Sequence, residues 1–300
     1  MRRLALVLLL ALAPAASWAG NVTLEGSLTQ GGIVRGQTDP GARVTLDGHP
    51  VRVAPDGHFV FGFGRDAGKS ARLDVAFRDG AKVRRVLAIA PRIWDIRRLE
   101  GLPQDQVSPP PELLERIGRE NAEAASARTI DSDLVFFEGR FIWPVVGRIS
   151  GVFGSQSILN GQPRAPHGGV DIAAPPGTPV VAPEGGTVTL AEPDFYLTGG
   201  TIIIDHGYGL STVYFHLSRL DVRVGQKVAQ GEVIGAVGQT GRATGPHLHW
   251  GVNWYQVRLD PALLAGKMPE AESGAASPAS ADAARTTAPA APGSNVPASR

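Results

Sequence analysis

The stretch Gly-Pro-His-Leu-His-Trp, residues 245–250, carries two histidines two positions apart, His247 and His249. Successive side chains point to opposite faces of a β-strand, so a spacing of two places both imidazoles on one face, about 6 to 7 Å apart. The stretch therefore predicts a β-strand that presents a pair of imidazoles to one side of a sheet.

A second stretch, His167-Gly-Gly-Val-Asp171, places a histidine and an aspartate four positions apart. In an extended segment His167, Gly169 and Asp171 also share a face, and the glycine leaves space there for an ion. Imidazoles and a carboxylate are the ligand types of zinc, and a catalytic zinc takes three protein groups and keeps a fourth position for water. Together the two stretches predict a zinc site.

Either motif alone is common on exposed strands, so the prediction depends on their joint occurrence. Five of the seven histidines fall in one glycine-rich region: His167, His206, His216, His247 and His249. A solvated surface gives no reason for such a concentration.

Residues 143–264 resemble the lysostaphin-type, or LytM-type, zinc endopeptidases that cut peptidoglycan. The segments that carry the resemblance, in the family's order, are residues 167–180, 204–209 (Ile-Asp-His-Gly-Tyr-Gly), 214–217 (Tyr-Phe-His-Leu), 224–235 and 241–250. The resemblance implies that His167, Asp171 and His249 bind zinc. It also implies that His216 and His247 face the substrate.

The chemistry expected of such a site needs more than the ion. Zinc held by two imidazoles and one carboxylate would retain one positive charge, polarise the scissile carbonyl and lower the pKa of its water to about 7. No HExxH glutamate occurs, so His216 and His247 are the groups for general base and oxyanion donor, in an order that the sequence leaves open. An HxH pair can also bind one ion with both histidines. His206, followed by Gly-Tyr-Gly, is interpreted as structural or as orienting a ligand.

Residues near these motifs are predicted substrate contacts. Asn160 and Arg164 come just before the first motif, and Tyr214 comes just before His216. Trp143 is a further candidate, although a tryptophan beside a proline at a domain start equally suits simple packing.

The N-terminus predicts export. Arg2 and Arg3 form a basic segment, residues 4–13 an apolar one, and residues 17–19 a small-x-small site with cleavage after Ala19. The apolar segment is too short to span a bilayer, and the lack of cysteine excludes disulfides and a lipoprotein anchor. With 29 Lys+Arg against 28 Asp+Glu, nothing favours a nucleic-acid partner. We expect a periplasmic or secreted protein without a membrane anchor.

Residues 20–91 are predicted to form an immunoglobulin-like β-sandwich. Short apolar runs are separated by Asp-Gly turn signals. In two of these runs every second residue is apolar, which predicts one buried face and one solvent-exposed face. The alternating residues are Phe59, Phe61 and Phe63 in one run and Leu73, Val75 and Phe77 in the other.

Residues 92–140 are predicted to be a linker with a helix over 112–127. The proposed apolar face of that helix consists of Leu113, Leu114, Ile117 and Ala124. A helix of this length could pack across the peptidase groove, so whether it or the sandwich masks the cleft is left open.

Residues 141–266 are predicted to form a zinc peptidase domain built on an antiparallel sheet, in an overall fold that is mainly β. Its predicted strands span residues 180–188, 200–205, 211–216, 233–237 and 247–253. Residues 267–300 are rich in Ala, Pro and Ser and are predicted to be disordered.

Two functions from different classes compete. The first is a zinc endopeptidase that hydrolyses peptide cross-links of peptidoglycan, between D-alanine and diaminopimelate in a Gram-negative type of wall. The second is a peptidase-fold protein that binds peptidoglycan stems or activates another hydrolase, with a regulatory protein partner. The presence of all three ligand positions and both substrate-facing histidines favours the enzyme. Residues 224–238 alone also resemble lipoyl- and biotin-carrier barrels, but Lys227 lacks the exposed hairpin setting of a modified lysine.

Overall fold

A computed structural model describes residues 21–101 and 110–270. The predicted signal peptide, residues 1–19, and most of the predicted tail lie outside the described residues. Among the described residues no helix is long and apolar enough to cross a membrane.

The N-terminal region forms two antiparallel sheets. Its strands are β1 (Val22–Gly26), β2 (Ile33–Thr38), β3 (Arg43–Leu46), β4 (His49–Val51), β5 (His58–Gly62), β6 (Ser70–Ala76) and β7 (Lys82–Ala88). One sheet has the order β1-β2-β5 and the other β4-β3-β6-β7. Alternate residues such as Phe59, Phe61, Leu73 and Val75 from the two sheets fill one apolar cluster.

The prediction that the outer face is exposed to solvent is wrong for β5. Val60 and Ile33, on the face away from the N-terminal cluster, are 1% and 5% exposed and belong to the apolar cluster of the C-terminal sheet. Gly62 is so close to that sheet that a Cβ there would lie 2.6 Å from Leu259. The outer face of β5 is therefore covered by the C-terminal region.

The segment between these regions contains more than a helix. Strand β8 (Ile96–Leu99) pairs in parallel with a later strand, and helix α1 (Pro111–Arg128) is followed by a 3₁₀ turn, Phe136–Glu138. Ala124 and Ala127 of α1 pack on the C-terminal sheet, whereas Leu114 is 52% exposed. Leu114 was thus wrongly placed on the packed face, because the apolar contact of the helix with the sheet lies in its second half.

The C-terminal region is dominated by one antiparallel sheet, which confirms the mainly β prediction. Its strands and those of a small adjacent sheet are β9 (Arg148–Gly151), β10 (Gln156–Leu159), β11 (Gln162–Pro163), β12 (Val170–Ala173), β13 (Pro179–Val181), β14 (Gly186–Phe195), β15 (Gly199–Gly207), β16 (Leu210–Leu220), β17 (Lys227–Val228), β18 (Val233–Val237), β19 (His247–Trp254) and β20 (Val257–Leu259), followed by the short helix α2 (Pro261–Ala265). The main order is β17-β14-β15-β16-β19-β12-β9, and β11-β10-β8 form the small sheet.

One strand boundary differs from the predictions. The predicted strand over 180–188 is split into β13 and the start of β14, because the chain turns at Pro183 and Gly185. Beyond the predicted end of the domain at residue 266, the Met268 sulfur accepts a hydrogen bond from the Gly147 N–H and packs on the core. The domain bounds stay a prediction.

The two faces of this sheet are covered by different elements. Ile202 and Ile204 of β15 join the large cluster shared with the N-terminal region, whereas Ile203 points to the opposite face, where Ala127 of α1 packs. Phe215 also contributes to this second face. The candidate ligand His249 pairs directly with Phe215 across β16 and β19 and stacks on its ring, so the candidate site lies on the side of the sheet that carries α1.

Candidate active site

Two neighbouring strands bring the predicted ligands together. Asp171 of β12 pairs with His249 of β19, and His167 precedes β12. The His167 Nε2 atom lies 3.0 Å from Asp171 Oδ1 and 2.9 Å from His249 Nδ1. His249 Nδ1 lies 2.9 Å from the same carboxylate oxygen. We call these three residues the metal trio.

The donor atoms of the trio fit a metal ion. His167 Nδ1–H donates to the Val152 carbonyl at 3.0 Å, which leaves the Nε2 lone pair to face the other two atoms. Two imidazole nitrogens and a carboxylate oxygen thus converge. A positive ion placed between them would attract all three atoms. Two imidazoles and one carboxylate are a set of ligands that can hold a metal ion.

The surroundings set the charges of the trio. Burial on its own raises the pKa of Asp171, but its hydrogen bonds with His167 and His249 prevail and hold that pKa well below its usual range. Burial lowers the pKa of His249 to about 4. Burial also acts to lower the pKa of His167, but the contact with Asp171 outweighs it and raises that pKa. Asp171 is therefore ionised and His249 is neutral at pH 7, which are the states that bind a metal.

Two glycines allow the trio to form. A Cβ on Gly169 would lie 2.2 Å from the Trp250 carbonyl oxygen and 2.9 Å from His249 Nε2. Gly169 was predicted to leave space for an ion, but its role is to let β19 and the His249 ring approach. A Cβ on Gly151 would lie 2.3 Å from Asp171 Oδ2, so that glycine makes room for the carboxylate.

His216 and His247 form a second pair beside the trio. Their ring centroids lie 4.7 Å apart, and His247 Nε2 is 3.8 Å from Asp171 Oδ1. That distance exceeds the 2.9 to 3.0 Å between the ligand atoms of the trio. The structure thus brings together all five residues predicted to bind metal or face the substrate.

Backbone carbonyls orient both rings of this pair. His216 Nδ1–H donates to the Thr240 carbonyl and His247 Nδ1–H donates to the Gly245 carbonyl, each at 2.8 Å. Both Nε2 atoms therefore carry a lone pair away from the backbone. Burial lowers the pKa of His216, which favours its neutral form. No sequence pattern indicates these carbonyl partners, because backbone acceptors have no residue signature.

The backbone of His216 is unusual. Its φ of 65° lies in the left-handed region, where a non-glycine residue is strained. The His216 N–H donates to the Thr198 carbonyl at 2.7 Å, which helps to hold this conformation. The change of direction turns the ring toward His247.

Solvent reaches the site in the described part of the chain. The side chains of His167 and Asp171 are 21% and 25% exposed. Helix α1 contacts β14 and β15, and β16 separates those strands from β19. The end of α1 nevertheless reaches Gln256 in the turn after β19, and the N-terminal segment 64–67 lines a pocket beside His167.

The predicted substrate contacts differ in where the structure places them. Tyr214 is fully buried and its hydroxyl contacts Thr212 at 2.8 Å, so the prediction that it contacts substrate is wrong. Trp143 is also buried, donates from Nε1 to the Gly266 carbonyl and packs against Trp250. Asn160 opens the turn between β10 and β11 with φ 47°, and Arg164 follows β11 on the way to His167. The roles of Asn160 and Arg164 stay predictions.

His206 occupies the buried interior. Its Nδ1–H donates to the Gly185 carbonyl at 2.7 Å, and its Nε2 accepts from the Thr212 hydroxyl at 2.8 Å. The Thr212 oxygen in turn accepts from Tyr214. Burial lowers the pKa of His206 to about 4. The structural interpretation of His206 agrees with these contacts.

The sheet and the converging ligands define a metallopeptidase-like domain, and comparison with known proteins specifies it. Residues 165–261 match peptidase family M23. A solved structure of an M23 peptidase from Pseudomonas aeruginosa is 32% identical, covers 80% of this chain and 96% of its own, and superposes with a TM-score of 0.63. The chain belongs to peptidase family M23.

Curated relatives match over shorter segments. The peptidoglycan DD-endopeptidase ShyA of Vibrio cholerae is 48% identical over 86 residues, which are 29% of this chain and 20% of ShyA. The cell division protein DipM of Caulobacter vibrioides is 34% identical over 164 residues, which are 53% of this chain and 26% of DipM. The chain thus spans a fifth to about a quarter of the length of these relatives.

Proposed function

We propose that this protein is a zinc-dependent endopeptidase that hydrolyses peptide cross-links of peptidoglycan. The observation that carries the proposal is the convergence of His167 Nε2, Asp171 Oδ1 and His249 Nδ1 within 3.0 Å of one another, beside two imidazoles with free Nε2 atoms. Membership of family M23 and the likeness to a peptidoglycan DD-endopeptidase support the substrate class.

The metal trio would bind the zinc, and His216 and His247 would take part in proton transfer and in stabilising the oxyanion. When bound, zinc supplies a Lewis acid that polarises a carbonyl and makes water more acidic. His216 is suited to accept the proton of the attacking water, because burial keeps it neutral and its Nδ1–H is already committed to Thr240. His247 would then face the oxyanion with its Nε2 atom, since its Nδ1–H is committed to the Gly245 carbonyl.

The remaining residues of the site position these groups. The carbonyls of Val152, Thr240 and Gly245 each accept one Nδ1–H and so fix three ring orientations. Phe215 stacks on His249 with ring centroids 4.8 Å apart and an interplanar angle of 5°, which restricts rotation of that ligand.

Three further features belong to this proposal. The N-terminal sheets would form an immunoglobulin-like sandwich, residues 1–19 would direct export, and the protein would act in the periplasm or outside the cell. A regulatory protein partner would control access to the wall. The alternative function, a protein that binds peptidoglycan or activates another hydrolase without cutting, gains no support from the site, since every expected ligand and both substrate-facing histidines are present.

Digestion of purified sacculi tests the proposed function. The full chain with zinc should convert cross-linked muropeptide dimers to monomers, and a strong chelator should stop the conversion. Unchanged dimers with cleaved glycan strands would contradict the endopeptidase assignment. If dimers stay intact but another hydrolase becomes more active on addition of the chain, the activator function replaces it.

A further inference from the structure

A pocket of about 460 Å³ opens directly beside the metal trio. It is lined by the N-terminal segment 64–67, by Phe153, by 166–168, which includes the ligand His167, and by 256–258 of the β19–β20 hairpin. We call it the arginine pocket, after Arg258. Because it borders His167, the pocket is within reach of a peptide bound at the trio.

The N-terminal region forms one wall of this pocket. Arg65 donates from Nε to the Gly154 carbonyl at 2.8 Å, and its guanidinium lies over the Trp94 ring, 5.3 Å from the centroid. Arg65 also pairs with Asp66 at 2.7 Å. The charges of Arg65 and Asp66 therefore neutralise one another, and their wall is anchored to the C-terminal region.

Arg258 supplies a positive charge to the lining of the pocket. It lies in β20 opposite Asn253, and its side chain crosses Gly168, where a Cβ would lie 2.8 Å from Arg258 Cδ and 3.2 Å from Nη1. Among residues 21–101 and 110–270 the Arg258 guanidinium makes no hydrogen bond or ion pair. Arg258 is exposed, and a guanidinium next to the site with its donors free is suited to a carboxylate.

The neighbouring groups increase the positive charge. Arg128 at the end of α1 donates to the Gln256 side chain at 3.3 Å, and burial together with the charge of Arg258 lowers the pKa of Arg128. Gln256 is held by its own hydrogen bond to the Ala125 carbonyl at 2.9 Å. With Arg65 and Asp66 paired, the net charge around the pocket is positive.

The order of groups along β19 aligns the pocket with the reaction centre. His247 comes first, His249 follows about 7 Å further on, and the part of the strand that pairs with β20 lies beyond. A peptide laid along this line would pass His247, cross the trio and reach Arg258. The pocket thus lies on the side of the trio away from the His216–His247 pair.

We propose that Arg258 binds a free carboxylate on the amino acid next to the scissile amide. This inference rests on the proposed function and specifies its substrate. It favours cross-links in which the residue joined to D-alanine keeps a carboxylate beside the acylated amine, as diaminopimelate does. Cross-links whose carboxylate is amidated, or that consist of glycine, offer the guanidinium no anion.

Binding of a matched ligand pair to the full chain tests this assignment. Both ligands contain D-alanyl-diaminopimelate with an N-methylated scissile amide. One ligand carries a free carboxylic acid next to that amide, and the other carries a primary amide at the same position. We expect the acid to bind wild type about ten-fold more tightly, the size of a hydrogen bond to a charged group. Arg258→Gln should bind both ligands equally, and Arg258→Lys should retain part of the preference.

Arg223→Gln is the matched control. Arg223 is exposed and lies in the loop before β17, the strand at one edge of the sheet, whereas β12 lies near the other edge. It should keep the full preference. Equal affinities on wild type, or a preference that survives in Arg258→Gln, would overturn the inference. Calorimetric binding does not depend on cleavage. A chain that leaves sacculi intact yet shows the Arg258-dependent preference would therefore refute the proposed function and not the pocket.

Discussion

His206 and His249 are histidines of one sheet with opposite uses. Burial lowers the pKa of each to about 4, and each is buried. Both ring nitrogens of His206 have a partner in the interior, Gly185 and Thr212. The Nδ1 of His249 instead points to Asp171 and His167. A shifted pKa alone does not distinguish a structural histidine from a ligand, whereas the convergence of donor atoms does.

Removal of a trio ligand should have the largest effect. His249→Ala, Asp171→Ala or His167→Ala deletes one of three protein ligands, so metal and peptidase activity should both be lost. In wild type, zinc at about 100 times its Kd should raise the free energy of unfolding by about 2.7 kcal/mol. Thermal unfolding with and without zinc measures this, and a ligand variant that zinc stabilises as fully as wild type would contradict the trio.

Substitution of the second pair should reduce the rate alone. His216→Ala and His247→Ala remove a proton acceptor or an oxyanion donor, for which we expect a loss of about a hundred- to a thousand-fold, or 3 to 4 kcal/mol. Steady-state cleavage of purified dimers measures it. A loss of less than about five-fold for either variant would remove that histidine from the chemistry.

The pH dependence of activity depends on the same pair. Because burial lowers the pKa of His216, the neutral base should persist below pH 6.5, and activity should decline as pH falls further and the ring gains a proton. A pH profile of cleavage by the zinc-loaded chain measures this. Activity that is unchanged down to pH 4 would argue against a histidine base.

His206 should affect stability rather than catalysis. Its folded pKa of about 4 lies below the unfolded value near 6.5, so the unfolded chain binds a proton first as pH falls. The stabilisation is complete above pH 6.5 and is lost toward pH 4, by on the order of 3 kcal/mol. Denaturant unfolding in chelator between pH 7 and 4 should show a shallower pH dependence for His206→Gln. Identical slopes would refute this role.

Tyr214→Phe should have the smallest effect. It removes one buried hydroxyl contact with Thr212, so we expect a loss of about 1 kcal/mol in unfolding free energy and unchanged cleavage. Denaturant unfolding and a cleavage assay test the two halves. A KM raised several-fold with normal stability would return Tyr214 to the substrate groove.

The case of Tyr214 shows why the sequence predicted some site residues and not others. Regular alternation would place Tyr214 and His216 on one face, but the left-handed φ of His216 breaks the alternation and leaves Tyr214 in the core. His167, Asp171 and His249 were found because their spacing and type are local signals. The burial of Val60, the pairing of β8 and the pocket around Arg258 depend on contacts between distant segments, which no local pattern encodes.

The division between ligands and substrate-facing histidines is the central claim, and metal content tests it most directly. Zinc should be measured on purified, folded His247→Ala and His249→Ala chains under identical loading. His247 Nε2 lies 3.8 Å from Asp171 Oδ1, whereas His249 Nδ1 lies 2.9 Å from it. We expect about one zinc per chain in His247→Ala and almost none in His249→Ala. A folded His247→Ala chain without zinc would contradict the account.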